Sequence, residues 1–398
     1  MKKILMCSWL MLFVPALSAQ VEEQSMPILA WYGVQEQSVE RYLELKETGI
    51  THNFTGFSSA EELLAGMNAA HAAGIKVIAS CPELAEKPEV IVERLKNHPA
   101  IAGYFLRDEP SKGDFAELGR WAKRIQSVDN KHFCYLNLLP NYATPEQLGT
   151  ATYREHVKQF IEEVPLQLLS FDHYPIIVDG NGDRILRGNW YENLEIFSDE
   201  ARKAQKPFWA FALTVAHSPY PIPTLAELRL QVYSNLAYGA QGIQYFTYWT
   251  PQPGTWDFHH APIDFDTNQR TEIYDMIKQM NEEIKNLSPV FMNARVLSTG
   301  HTGKEIPEGT RRLGNLPGTI NAFEAEGDAV VSVLEKGDRS FLVIVNRDFK
   351  NLLPVRVAGS PDLQRILKDG TTVPAKKYTE RLFVDPGDIL IYSWKTNK

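Results

Sequence analysis

From position 28 to about 287, short apolar runs alternate with stretches in which apolar residues recur every three or four positions. The first pattern marks buried strands and the second amphipathic helices. Eight strands are predicted, at 28–34, 50–56, 75–81, 101–108, 133–138, 167–173, 208–215 and 242–249. Eight helices alternate with them, at 38–48, 60–73, 88–97, 115–128, 153–163, 191–204, 225–238 and 272–286. Strict alternation of eight and eight is the signature of a (β/α)8 barrel. Gly49, Gly74 and Gly239 fall where helices one, two and seven need a left-handed C-cap. Thr224 with Glu227 three residues later forms a capping box for helix seven. A doubly wound open sheet would normally have fewer strands and a glycine-rich phosphate loop after strand one. Here strand one runs into Gln35-Glu36-Gln37.

After Ser288-Pro289 the pattern shortens to a period of two. Runs at 329–334, 340–345, 353–357 and 389–394 read as strands, separated by turns such as Gly337-Asp338, Asp369-Gly370 and Pro386-Gly387. They predict an all-β sandwich. The 300–317 region is rich in Gly and Pro and reads as a loop. At the other end, Lys2 and Lys3 precede an apolar stretch, and Ala16, Ser18 and Ala19 offer a cleavage site. That is the pattern of an export signal, too short to be a spanning helix. The expected organisation is therefore a signal peptide at 1–20, a barrel at 21–288 and a C-terminal β-sandwich at 289–398, in a protein that works in the periplasm or outside the cell.

Composition narrows the function. The 398 residues are 44% hydrophobic, enough for a large core, and the net charge of −8 comes without a basic block. That disfavours nucleic acid as a partner, and no later segment is apolar enough to span a membrane. Cys81 and Cys134 fall on strands two apart in the barrel, too far for a disulfide, and are expected as buried free thiols. No G-x-S-x-G elbow marks a serine hydrolase. No His/Asp/Glu spacing matches a metal site, so neither metal nor cofactor is expected.

Barrels carry their chemistry at the C-terminal ends of their strands. Strand one brings Trp31, Tyr32 and Glu36 there, and strand four brings Asp108 and Glu109, with Pro110 next. Strand five brings Asn137. Strand six brings Asp172, His173 and Tyr174. Strand eight brings Trp249, followed by a loop with Trp256 and Asp257. Carboxylates supply acid and base, amides bind hydroxyls, and flat apolar sugar faces stack on aromatic rings. The set describes a sugar site, with carbohydrate as the partner. Glu109 is the leading candidate for a catalytic carboxylate and Asp172 the best second. Asp108, Asn137, His173, Tyr174, Trp31, Tyr32, Trp249 and Trp256 are candidates for substrate binding. By a strand's period of two, Arg107 shares a side with Glu109, and a guanidinium there would lower the carboxyl's pKa.

The segment ending Asp108-Glu109-Pro110 resembles the fourth strand of the clan-A glycoside hydrolases, barrels that include cellulases and β-galactosidases. There the strand ends Asn-Glu-Pro and the Glu is acid/base. His173-Tyr174 resembles that clan's sixth strand. The resemblance implies Glu109 as acid/base, Asp108 in the place of the Asn, and an appended β domain. The chain departs from the clan at strand seven, where 207–215 lack the nucleophilic Glu and the next carboxylate is Glu227. Other barrels, similar to the α-galactosidases, divide the work between strands four and six, with the strand-four group as nucleophile and the strand-six group, here Asp172, as acid/base. The expected function is hydrolysis of a glycosidic bond in an oligo- or polysaccharide. The alternatives are a non-catalytic carbohydrate-binding protein on a degenerate barrel, and a polysaccharide lyase or deacetylase.

Overall fold

A computed structural model describes residues 25–375 and 381–396; the export signal read at 1–20 lies outside the described residues. Strands β1 (Ile28–Trp31), β2 (His52–Phe54), β3 (Lys76–Ala79), β4 (Ile101–Asp108), β5 (Phe133–Asn137) and β6 (Leu169–Phe171) come first. A hairpin of β7 (Ile176–Val178) and β8 (Arg184–Leu186) follows, then β9 (Phe208–Leu213) and β10 (Ile243–Phe246). All but the hairpin form one parallel sheet in the order β5-β4-β3-β2-β1-β10-β9-β6. A bridge between Leu138 and Phe171 joins β5 to β6 and closes the barrel. Each predicted strand is present; the fourth keeps its predicted bounds and the others are one to four residues shorter.

The helices around it are α1 (Val39–Glu47), α2 (Ala60–Ala73), α3 (Pro82–Glu86), α4 (Pro88–Leu95), α5 (Phe115–Val128), α6 (Pro145–Leu148), α7 (Tyr153–Glu163), α8 (Trp190–Lys203), α9 (Leu225–Ala237) and α10 (Glu272–Phe291). Local chemistry sets their ends. Gly74 takes a left-handed φ of 74° at the end of α2, and Thr224 and Glu227 close their capping box on α9. α10 carries Pro289 within its last turn and runs on to Phe291, past the Ser288-Pro289 turn signal. Leu29, Trp31, Phe54, Ile78, Tyr135 and Trp209 are among the side chains that fill the barrel interior, so it is a packed core and not a pore. Cys81 and Cys134 are buried and free. Among the described residues no helix is long and apolar enough to cross a membrane.

The C-terminal strands are β11 (Arg295–His301), β12 (Ile320–Ala325), β13 (Ala329–Lys336), β14 (Arg339–Asn346), β15 (Leu353–Gly359), β16 (Gln364–Ile366), β17 (Thr372–Pro374), β18 (Leu382–Val384) and β19 (Ile389–Lys395). They form a six-stranded sheet, β11-β13-β14-β19-β16-β17, and a three-stranded sheet, β12-β15-β18. Val331, Leu342, Val355 and Trp394 belong to the core they share. The 300–317 region departs from its reading at its start, because Gly300 and His301 complete β11. Arg311, exposed on this loop, bonds Asp199 of α8 at 2.6 Å. It holds that loop to the barrel. The turn at Gly387 presses on α9 so closely that a Cβ would fall 2.0 Å from the Ala226 carbonyl oxygen.

Candidate active site

The site begins with an irregularity in β4. Its pairing with β5 shifts register between Phe105 and Asp108. The strict alternation that would put Arg107 beside Glu109 is broken by this bulge. Arg107 turns outward to Asp114 at 2.7 Å, while Asp108 pairs across to Asn137. Glu109 sits in the left-handed region at φ 45°, with its N–H bonded to the Asn137 carbonyl oxygen at 2.8 Å. For a residue with a side chain that backbone costs on the order of 1–3 kcal/mol, and such strain gathers where geometry serves function. Tyr32, at the tip of β1, is held in the same way with φ 46°.

Asn137 joins strands four and six. Its Nδ2 donates to Asp108 Oδ1 at 3.2 Å and to Asp172 Oδ1 at 2.8 Å. The amide is oriented from below, since Ser170 Oγ donates to its Oδ1 at 2.9 Å. Gln244 Nε2 in turn donates to Ser170 Oγ at 2.8 Å, and the Tyr135 hydroxyl donates to Gln244 Oε1. These buried groups satisfy one another, which locks the network in one arrangement. Its free end is an NH2 group aimed at two carboxyls. The Glu109 and Asp172 carboxyls also act on each other, each shifting the other's hold on its proton. Asp108, Glu109 and Asp172 therefore form one cluster, drawn from the tips of two strands.

Crowding raises all three acids. Asp108 is pushed up to about 7, first by burial among protein atoms and then by the charge of Asp172. Burial and the charge of Asp108 push Glu109 up to about 7. Burial and the charge of Glu109 push Asp172 up to about 8. Asp108 and Glu109 still face solvent, and Asp172 is half-buried. Burial and mutual repulsion both favour the protonated forms, so the cluster holds its protons to higher pH than isolated acids do.

Aromatic side chains surround the cluster. The Tyr174 ring stacks on Phe246 at 5.6 Å and meets Tyr220 edge-on at 5.8 Å. The Arg187 guanidinium lies 4.5 Å from the Tyr142 ring centre and 5.4 Å from that of Tyr220. Further round, Tyr32, Gln35, Glu36, Trp249, Phe265 and Asn268 line a cleft of about 480 Å³. A cleft of similar size, about 490 Å³, opens at the other end of the barrel beside Met26, Glu47 and Lys285. Its Glu47 is paired with Arg270 and Lys278, and that end of a barrel is not where such folds react.

Comparison with known proteins bears on this arrangement. The β-galactosidase family Glyco_hydro_42 matches residues 143–287, a stretch that contains Asp172 but not β4. The chain resembles the clan-A glycoside hydrolases. A GH42 β-galactosidase from G. stearothermophilus superposes with a TM-score of 0.64 at 8% identity, covering 93% of this chain and 98% of that one. The β-galactosidase from Bacillus circulans sp. alkalophilus gives 0.60 at 10% identity, covering 93% and 99%. That of the psychrophilic Marinomonas ef1 gives 0.51 at 14% identity over 67% of this chain, which spans only 60% of that enzyme's chain. At such identities the likeness is one of fold. No curated protein matches the chain by sequence.

In this glycosidase-like barrel the structure brings five of the ten candidate residues together: Asp108, Glu109, Asn137, Asp172 and Tyr174. The others lie apart. Trp31 is 8% exposed, packed among Phe54, Phe105, Tyr135 and Phe211 inside the barrel. His173 is buried, spends Nε2 on Asn189 at 3.2 Å, and is held down to about 3 by burial and by Arg187. Trp249 is buried beneath the Arg41 guanidinium, 5.1 Å from its ring centre. Tyr32 faces the neighbouring cleft. Trp256 stands 54% exposed on its loop, edge-on to His217 at 6.0 Å. The other acids that the strand ends and loops bring to the mouth are engaged elsewhere, Glu36 with Arg41 and Asp257 with the Ser218 N–H. Glu227 caps α9 and pairs with Arg184. Reading the sequence missed Ser170, Gln244, Tyr142, Arg187 and Tyr220. The first two carry a signal, a polar side chain in the middle of an apolar strand, because a buried polar group needs a partner.

The raised acids give stability a definite pH dependence. In the unfolded chain Asp and Glu titrate near 4, while in the fold the cluster titrates at about 7 to 8. Between those values the folded state holds more protons, so stability falls as pH rises. The melting temperature is expected to drop from pH 4.5 to 8.5, and Asp108→Asn to flatten that drop. Calorimetric scans of both proteins check it; parallel curves would mean the cluster titrates normally.

Proposed function

We propose that this chain is an exported glycoside hydrolase that cleaves a glycosidic bond in an oligo- or polysaccharide at the Asp108–Glu109–Asp172 cluster. One observation carries the reading: a single amide, that of Asn137, ties Asp108 and Asp172 together with Glu109 on its backbone carbonyl, beside aromatic side chains at the reactive end of the barrel. Glycoside hydrolysis needs one protonated and one ionised carboxyl at the same pH. A crowded cluster supplies both near neutrality. The export assignment rests on the charged and apolar N-terminus.

In the proposed mechanism Asp172, the more buried acid, holds the proton and gives it to the departing glycosidic oxygen. Glu109, ionised, attacks the anomeric carbon or takes a proton from the water that does. The separation of the pair sets which of the two Glu109 does, about 5–5.5 Å in retaining enzymes and about 6.5–9.5 Å in inverting ones. Asp108 supplies the charge that raises Glu109 and a hydrogen-bond acceptor for a sugar hydroxyl.

The test is release of new reducing ends from a panel of glycans by wild type and by Glu109→Gln. Release by wild type alone is expected; equal release by both would remove the cluster from the reaction. Asn137→Ala gives a finer check. It removes the donor that favours ionised Asp108 and Asp172, so the alkaline limb of the pH–rate profile should move up while kcat falls about tenfold or more. An unmoved limb would mean that Asn137 does not tune the acids.

A further inference from the structure

Arg187 is the feature of the mouth that hydrolysis alone does not use. It follows the β7–β8 hairpin, and its backbone is fixed on the β6 tip, its N–H bonding the Pro175 carbonyl oxygen at 2.7 Å. The hairpin is tied to the loop after β9 by the Val178 N–H on the Pro219 carbonyl oxygen at 2.8 Å. The guanidinium is thereby held against two rings, Tyr142 and Tyr220. Among the described residues it has no acidic partner within 4.0 Å, and its side chain makes no hydrogen bond. A half-buried arginine in a chain with eight more acids than lysines and arginines would ordinarily find a carboxylate. Here the nearby acids are committed to one another and to Asn137. The two rings steady the planar guanidinium, whose N–H groups have no partner among the described residues.

We propose that Arg187 is a specificity residue that receives the carboxylate of an acidic sugar, a uronic acid unit of the glycan, through a planar two-point contact. The inference rests on the glycosidase reading for the kind of ligand. Its chemistry rests on Arg187 alone. A carboxylate matches the guanidinium fork and satisfies a cation that is otherwise partly desolvated.

Binding is measured by calorimetry with Glu109→Gln, which keeps the mouth and removes turnover, and with Glu109→Gln/Arg187→Ala. The probes are polygalacturonate, glucuronoxylan and alginate, each beside the same polymer with its carboxyl groups reduced to alcohols. At least one acidic polymer is expected to bind about tenfold or more tightly than its reduced form. Arg187→Ala should abolish that preference, and Arg187→Lys should keep part of it. A smaller preference for all three polymers, or one that survives Arg187→Ala, overturns the proposal. Reducing ends released by wild type from both forms are followed in parallel. If neither form is cleaved, the glycosidase reading fails for these polymers, while the binding ratio still judges Arg187. If the reduced form is cleaved and bound as well as the acidic one, hydrolysis stands and the acidic specificity falls.

Discussion

Glu109→Gln is expected to lower glycan turnover by roughly 10²–10⁴-fold, the range for removing a positioned acid, base or partner carboxylate. The replacement keeps the shape of the side chain and its backbone bond to Asn137, so substrate binding should survive. Stability should hold or rise. Glu109 is one of three mutually repelling carboxyls, and neutralising it relieves its neighbours. Functional sites often improve in stability when their chemistry is removed. Steady-state kinetics on a cleaved glycan and a thermal melt at pH 7 check both halves. Unchanged turnover would strip Glu109 of any catalytic role, whereas a melt many degrees lower would point to misfolding.

Asp172→Asn is expected to cost as much on natural glycans but far less on activated ones. A group that protonates the leaving oxygen matters only when that oxygen leaves poorly. With an aryl glycoside whose phenol leaves easily, Asp172→Asn should regain most of wild-type cleavage while Glu109→Gln remains impaired. The opposite pattern would assign the proton to Glu109, as in the clan-A strand-four arrangement, and Asp172 to the attacking side. Crowding favours the first assignment, because Asp172 is the more buried of the two and is raised by burial and by the charge of Glu109.

Much of this molecule is legible in its residues, for identifiable reasons. Parallel barrel strands are buried on both faces, so β9 is an uninterrupted run from Phe208 to Leu213. β11 and β12, by contrast, are half-exposed along most of their length; their polar residues hide the strand pattern. The Asp-Glu-Pro tip was visible as chemistry, but its geometry was not. A single bulge after Phe105 decides that Asp108 turns inward and Arg107 outward, and no residue type announces it. Trp31 and Trp249 look like sugar platforms by composition, yet positions at the strand ends bury them in packing. Arg187 was hidden because the hairpin that carries it, β7–β8, is two three-residue strands inside what reads as a loop. Asp172 and Asn137 are legible as candidates because their strand positions alone put them at the mouth.

Incubation with a cleaved glycan in H₂¹⁸O, followed by mass spectrometry of the products, bears most directly on the carboxyl cluster as a hydrolytic site. Wild type should place one ¹⁸O in a product for each bond broken, and the Glu109→Gln/Asp172→Asn double variant should release nothing above background. Unsaturated products without ¹⁸O, or labelled products from the double variant at the wild-type rate, would contradict it.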